Sequence, residues 1–193
     1  MSDVQAPERV RLFVALELPE NVRETLIRWR ERVPGGASGL RPIVREHLHA
    51  TLCFLGWRSS DEIEAIGSAC DVVAARPDPL LRLGHGIWLP ARRPRVLAVS
   101  LEDESGSLAA LHAALSETLA AGGWYEPEKR PYLGHVTVAR AAGGFRARKA
   151  ELPTPPALEF RARRVTLYRS RLLRSGARYE PLAAVELSGE GSR

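Results

Sequence analysis

Two short motifs carry the chemistry open to this sequence. His49-Ala50-Thr51 lies in the first half of the chain and His135-Val136-Thr137 in the second. On a β-strand, residues i and i+2 point to the same face, so each motif presents an imidazole beside a hydroxyl. Five His and six Thr in 193 residues would give about 0.15 such tripeptides by random placement. Two histidines and two hydroxyls, with no carboxylate or thiol in the motif, suit in-line attack at phosphorus. A neutral His takes a proton from the attacking water or hydroxyl, and a protonated His gives one to the leaving oxygen. Each Thr hydroxyl can donate to a non-bridging phosphate oxygen and hold the charge that builds there. Both roles suit histidine, whose unperturbed pKa lies near neutrality, and neither needs a metal. The residues alone do not say which His is the acid.

The elements around the motifs repeat as well. Arg11–Leu18 reads as a strand, followed by a helix with Val22, Leu26, Trp29 and Val33 on one face, Pro19 near its start and Gly35-Gly36 at its end. Arg95–Glu102 reads as a second such strand, and its helix carries Leu108, Leu111, Leu115 and Leu119 before Gly122-Gly123. Each His-x-Thr strand comes next, 38 residues after Arg11 in one half and 40 after Arg95 in the other. Strands over 80–89 and 164–173 end the halves. The first half adds a helix over 61–75 with a capping box at Ser59 and Glu62; the second has only a short Gly/Pro segment over 141–157. The period near 85 residues occurs once, which means two related lobes rather than a solenoid. The expected fold is α+β: a single bilobal domain over 9–188, with mostly antiparallel strands, outer helices and a central cleft. Pseudo-twofold lobes would set the two motifs face to face across it. Residues 1–8 and 189–193 read as tails.

Charge is unevenly placed. Residues 129–178 hold thirteen basic side chains and two acids, a surplus of eleven, although the whole chain is only +5. This points to an anionic partner such as RNA, though 26 Arg against 2 Lys is also what a GC-rich genome produces. No apolar run reaches the ~18–20 residues of a membrane span, and no apolar signal core opens the chain. Cys53 and Cys70 sit in apolar patterns, as buried free thiols of a reducing cytoplasm would. No cofactor or protein partner is called for, and a monomer is expected.

The sequence resembles the 2H phosphoesterases, and within them the RNA 2′,3′-cyclic phosphodiesterases, formerly called 2′-5′ RNA ligases. The resemblance runs from about Arg11 to Leu182. It rests on Arg11-Leu-Phe-Val-Ala15, His47-Leu-His-Ala-Thr-Leu-Cys-Phe-Leu-Gly56, Arg92-Arg-Pro-Arg-Val-Leu97, Arg130-Pro-Tyr-Leu-Gly-His-Val-Thr-Val-Ala-Arg140, Val165-Thr-Leu-Tyr-Arg-Ser170 and Gly176-Ala-Arg-Tyr179. It implies the bilobal fold, His49 as proton donor to the leaving oxygen and His135 as proton acceptor from water. Thr51, Thr137 and Arg140 would bind phosphate. The implied reaction opens a 2′,3′-cyclic phosphate at an RNA 3′ end to a 2′-phosphate. The same site, run backwards with a 5′-hydroxyl RNA, would give weak ATP-independent 2′-5′ ligation. Two positions depart from the family's pattern: His47 stands where Asn is frequent, and Gly134 where Pro is frequent.

Arg140 would point away from His135 and Thr137 in a regular strand, so it reaches the phosphate only if the strand ends or bulges; Gly143-Gly144 suit an early end. Tyr132 and Phe13 are candidates for stacking on a base. Trp57 follows the first motif and lies near the cleft. His47, His49 and His85 invite a metal reading, but the second half has no His two before His135, and zinc would want three protein ligands. His85, between Gly84 and Gly86, reads as structural, and His112 as a helix-flank residue. Competing functions are a phosphoesterase for ADP-ribose cyclic phosphate or 2′-5′ oligoadenylates, and a non-catalytic RNA-binding module.

Overall fold

The run Arg9–Glu17 forms strand β1, and its alternation sorts two environments. Val10, Leu12, Val14 and Leu16 join the hydrophobic core, while Phe13 stacks with aromatic rings elsewhere. A computed structural model of the chain describes residues 7–33, 39–141, 151–173 and 176–189. Helix α1 (Glu20–Glu31) follows Pro19 and buries Val22, Leu26 and Trp29. Strands β2 (Leu40–Pro42) and β3 (His49–Ser59) come next, joined through a 3-10 turn at Arg45–His47. The capping box forms as read: the Glu62 carboxylate accepts from the Ser59 amide at 2.7 Å. The expected single helix over 61–75 is divided, with 3-10 turns at Ser60–Glu62 and Cys70–Val73 around α2 (Ile63–Ala69). Strands β4 (Leu80–Leu89) and β5 (Val96–Glu102) precede α3 (Ser107–Ala121). The chain continues through β6 (His135–Ala141), β7 (Glu159–Arg161), β8 (Arg164–Leu173) and β9 (Gly176–Glu186). Gly35-Gly36, Gly143-Gly144 and most of 141–157 lie outside the described residues. So do the tails read from sequence, apart from Pro7, Glu8 and Gly189.

All named strands join one antiparallel sheet in the order β7-β4-β5-β6-β3-β1-β8-β9, with β2 paired to β6. The order is symmetric about the β3–β6 junction. Either side of it stands a motif strand, then the opening strand of that half, then the closing strand of the other half. Beyond its motif and opening strands, each lobe therefore continues with strands of the opposite half of the sequence: β8 and β9 complete the lobe of β1 and β3, and β4 joins that of β5 and β6, with the short second-half strand β7 at its edge. The helices cross over as well. α3 packs on β3, and α1 reaches β6, where Arg30 donates to the Val138 carbonyl at 3.1 Å and to that of Ile43 at 2.6 Å. Trp29 is buried under β4, its indole N–H donating to the Pro153 carbonyl at 2.8 Å, in space that a side chain at Gly86 would need. Burial of a residue of this kind is worth ~1.5–3 kcal/mol or more. Cys53 and Cys70 are buried free thiols, their pKa pushed up to about 12 by desolvation. Among the described residues no helix is long and apolar enough to cross a membrane.

Candidate active site

The two motif strands share one local design. Along β3, His49 and Thr51 are partly open and Ala50 is buried; along β6, His135 and Thr137 are partly open and Val136 is buried. The strands meet through the pair Ala50↔Val136. In that antiparallel register His49 is aligned with Thr137, and Thr51 with His135, all on one face. The motifs thus lie side by side on adjoining strands rather than on opposing walls of the cleft, because the pseudo-twofold axis passes between the strands.

Each strand then bulges at the third position after its histidine. Leu52 is skipped in the β1–β3 ladder, and Val138 in the β5–β6 ladder. One extra residue reverses which side chains face the cleft. Phe54 and Arg140, each five residues after a histidine, are thereby turned onto the histidine face. This is the irregularity that Arg140 required. The bulge carbonyl of Val138 is held by the Ile43 amide at 2.9 Å as well as by Arg30.

The imidazoles are set alike. His49 Nδ1 lies 2.8 Å from the carbonyl oxygen of His47, and His135 Nδ1 lies 2.8 Å from that of Leu133. A carbonyl only accepts, so each Nδ1 carries the proton and donates it, leaving Nε2 for chemistry. Their surroundings differ. His49 stacks on Phe13 at 4.9 Å between centroids and meets the edge of Tyr179 at 5.3 Å. Desolvation drives its pKa down to about 4; the bond to His47 opposes the fall, and the charges of Arg140, His47 and Arg23 add to it. At neutral pH the free imidazole of His49 is uncharged.

Beside the histidines opens a cavity of about 740 Å³, within the ~300–1,000 Å³ usual for small-molecule sites. His49, Thr51, Phe13 and Arg140 are on its wall, with Arg11, Arg41, His47, Phe54 and Tyr179. Among the described residues its wall has no Asp or Glu. His135 and Thr137 adjoin it across the β3–β6 junction.

The sequence profile of the 2′-5′ RNA ligase superfamily matches residues 18–172. The RNA 2′,3′-cyclic phosphodiesterase of Thermus thermophilus is 32% identical, the match covering 95% of this chain and 93% of that protein. The protein of that name from Escherichia coli is 30% identical over 91% and 95% of the two chains. The crystal structure of E. coli LigT complexed with 3′-AMP superposes with a TM-score of 0.79 at 29% identity, covering 94% of this chain and 99% of that one. The chain belongs to the 2′-5′ RNA ligase superfamily.

Within this superfamily the chain's two departures have local causes. His47 fills the position two before His49 with a ring 4.5 Å from that of Tyr179, and its Nε2 accepts from the Tyr179 amide at 3.5 Å. Gly134 is buried, and a Cβ there would come within 2.7 Å of Leu108. The stacking candidates sit differently from expectation. Tyr132 is turned away from the cavity: it stacks on His112 at 4.1 Å, and its hydroxyl donates to the Thr51 carbonyl at 3.0 Å. Phe13 lies on the cavity wall but is only 4% exposed, its ring packed against those of both His49 and Tyr168. The open aromatic faces are Phe54, 48% exposed with the Arg11 guanidinium 4.6 Å above its ring, and Trp57, 53% exposed opposite Arg11. Period-2 counting along β1, which puts Arg11 and Phe13 on one face, was the available signal for Arg11; Tyr179 stood in the Gly176–Tyr179 motif with no role attached to it, and Arg41 had no signal. His85 lies on β4, separated from β3 by β5 and β6, and among the described residues no three His, Cys, Asp or Glu converge as a metal site.

Proposed function

We propose that this chain hydrolyses 2′,3′-cyclic phosphate at RNA 3′ ends to a 2′-phosphomonoester by two-histidine acid–base catalysis that requires no metal. The observation that carries this reading is the matched pair of Nδ1–carbonyl bonds on strands in crossed register, which leaves two Nε2 atoms and two hydroxyls on one face. Water attacks phosphorus while one Nε2 accepts its proton. The bond from phosphorus to the 3′ oxygen breaks, and the other Nε2–H protonates that oxygen. Thr51, Thr137 and Arg140 hold the two non-bridging oxygens as charge grows on them. A 5′-hydroxyl in place of water gives a 2′-5′ linkage by the same displacement, which is the proposed origin of ligation. The family resemblance makes His49 the acid. With a pKa of about 4 in the free site, His49 must then be charged by the incoming phosphate, whose negative charge raises the pKa of both imidazoles.

The names of the relatives and the 3′-AMP complex of E. coli LigT support RNA ends as substrate. The test is incubation with 2′,3′-cyclic AMP in EDTA, with identification of the product isomer. Adenosine 2′-monophosphate is expected at an undiminished rate. The 3′ isomer would mean the other P–O bond breaks; loss of rate on chelation would reinstate a metal; absence of turnover would leave a nucleotide-binding module.

A further inference from the structure

In β2, Arg41 is the direct cross-strand partner of Arg140. Both are exposed and both stand on the wall of the cavity, which has no carboxylate among the described residues. Neither side chain makes an ion pair or hydrogen bond among the described residues. Other arginines of the sheet are matched: Arg82 with Glu102 and Glu104, Arg164 with Glu186, Arg171 with Glu180. Like charges directly opposite on paired strands repel. Placed at the mouth of a site rather than offset by an acid, they make a receptor for anions.

One anion does not account for both. A cyclic phosphodiester carries a single negative charge, on two non-bridging oxygens. Thr51, Thr137 and Arg140 already serve those oxygens, and the protonated histidine adds a second positive charge beside them. Arg11 is engaged, lying over Phe54 and donating to Ser170 Oγ at 3.4 Å. Arg41 is left with a fork of donors and no acceptor for them among the described residues.

The geometry points to Arg41 as a binding residue for a second, non-reacting phosphate, the one on the 5′ side of the terminal ribose. This rests on the nucleotide-phosphate reading of the site. Arg41 then makes the enzyme prefer a polynucleotide end over a free cyclic nucleoside phosphate: only the former brings the second phosphate.

Calorimetric titration of the full chain with adenosine 2′-monophosphate and adenosine 2′,5′-bisphosphate tests this without turnover. The wild type should bind the bisphosphate at least ~10-fold more tightly, the worth of one charge-assisted contact. Arg41→Gln should bring the ratio of affinities to about one. Arg41→Lys, which keeps the charge but not the fork, should fall between. A wild-type ratio near one, or a ratio that survives Arg41→Gln, overturns the assignment. If the wild type fails to open 2′,3′-cyclic AMP, the hydrolase reading falls, while this ratio still decides the role of Arg41.

Discussion

Position by position, the two halves of the site can be laid over each other through their strand pairings. Thr51 is beside Ala15 and Thr137 beside Ala98; both alanines are fully buried and leave the hydroxyls unobstructed. The carbonyl that fixes each imidazole, and the bulge that follows, recur in both halves. The flanking positions diverge. Glu17 stands beside His49 where Ser100 stands beside His135; Phe13 pairs with Phe54 where Val96 pairs with Arg140. Identity is kept at the atoms that would move protons and bind phosphate, where an in-line displacement is itself symmetric. It is lost where the two sides of the proposed reaction would differ, since one side would receive water and the other would carry a ribose and the rest of a chain. The aromatic roof over His49 and the cation at Arg140 give that asymmetry a physical form.

The severest way to break the comparison is to delete one histidine at a time. His49→Ala and His135→Ala should each lower kcat for 2′,3′-cyclic AMP by at least ~10²-fold. Circular dichroism should remain native, because both side chains are partly open. A large loss from one and a negligible loss from the other would show that the halves are alike in form only. Next come the anion contacts. Arg140→Gln should raise KM and lower kcat/KM by ~10–100-fold, whereas Phe54→Ala, at the equivalent position, should leave kcat within a few-fold and act on KM alone. Thr51→Val and Thr137→Val should cost ~10-fold each in kcat, and about equally if the halves share the two non-bridging oxygens. The smallest and sharpest test is the pH profile. Both histidines must be in opposite protonation states, so kcat/KM should be bell-shaped. Its acidic limb should lie near pH 4, the pKa of His49 in the free site. That limb is the same whether His49 acts as acid or base, and its value belongs to the coupled pair. Bound phosphate should displace the kcat profile to higher pH. Tyr179→Ala admits water to His49 and should move the kcat/KM limb upward, toward the ~6.5 of a solvated imidazole; a limb that stayed in place would show that desolvation does not set it.

The two His-x-Thr pairs and their common face were legible in the sequence because strand alternation and repeat spacing are local. So was the need for an irregular β6, since Arg140 fell on the wrong parity. The bulge that meets this need was not legible: it depends on Arg30 and Ile43 grasping the Val138 carbonyl from other elements. Tyr132 reads from its position as a cleft residue, yet α3 offers it the flat face of His112 and turns it inward. The aromatic roof from Tyr168 and Tyr179 comes from strands more than a hundred residues away in the chain. β9 carries Pro181 and half-exposed small residues, so no alternation announces it. The packing of α2 on β9 was hidden for the same reason: a Cβ at Gly67 would come within 3.2 Å of that of Ala183.

The exchange of outer strands bears on how the chain comes to be folded at all. The lobe begun by the first strand cannot close until the last one has been made, since β1 pairs with β8 and β8 with β9. An emerging chain therefore holds an unfinished sheet edge through most of its synthesis, and the contacts that seal it are of the greatest sequence separation, the kind that forms slowly. Neither half is a portable unit. A fragment ending near residue 100 would carry only one of the two motif histidines, lack β8 on the outer side of β1, and expose the apolar face meant for the other lobe's helix. Expressed separately, the two fragments should gain structure only when mixed, and the intact protein should unfold in a single transition.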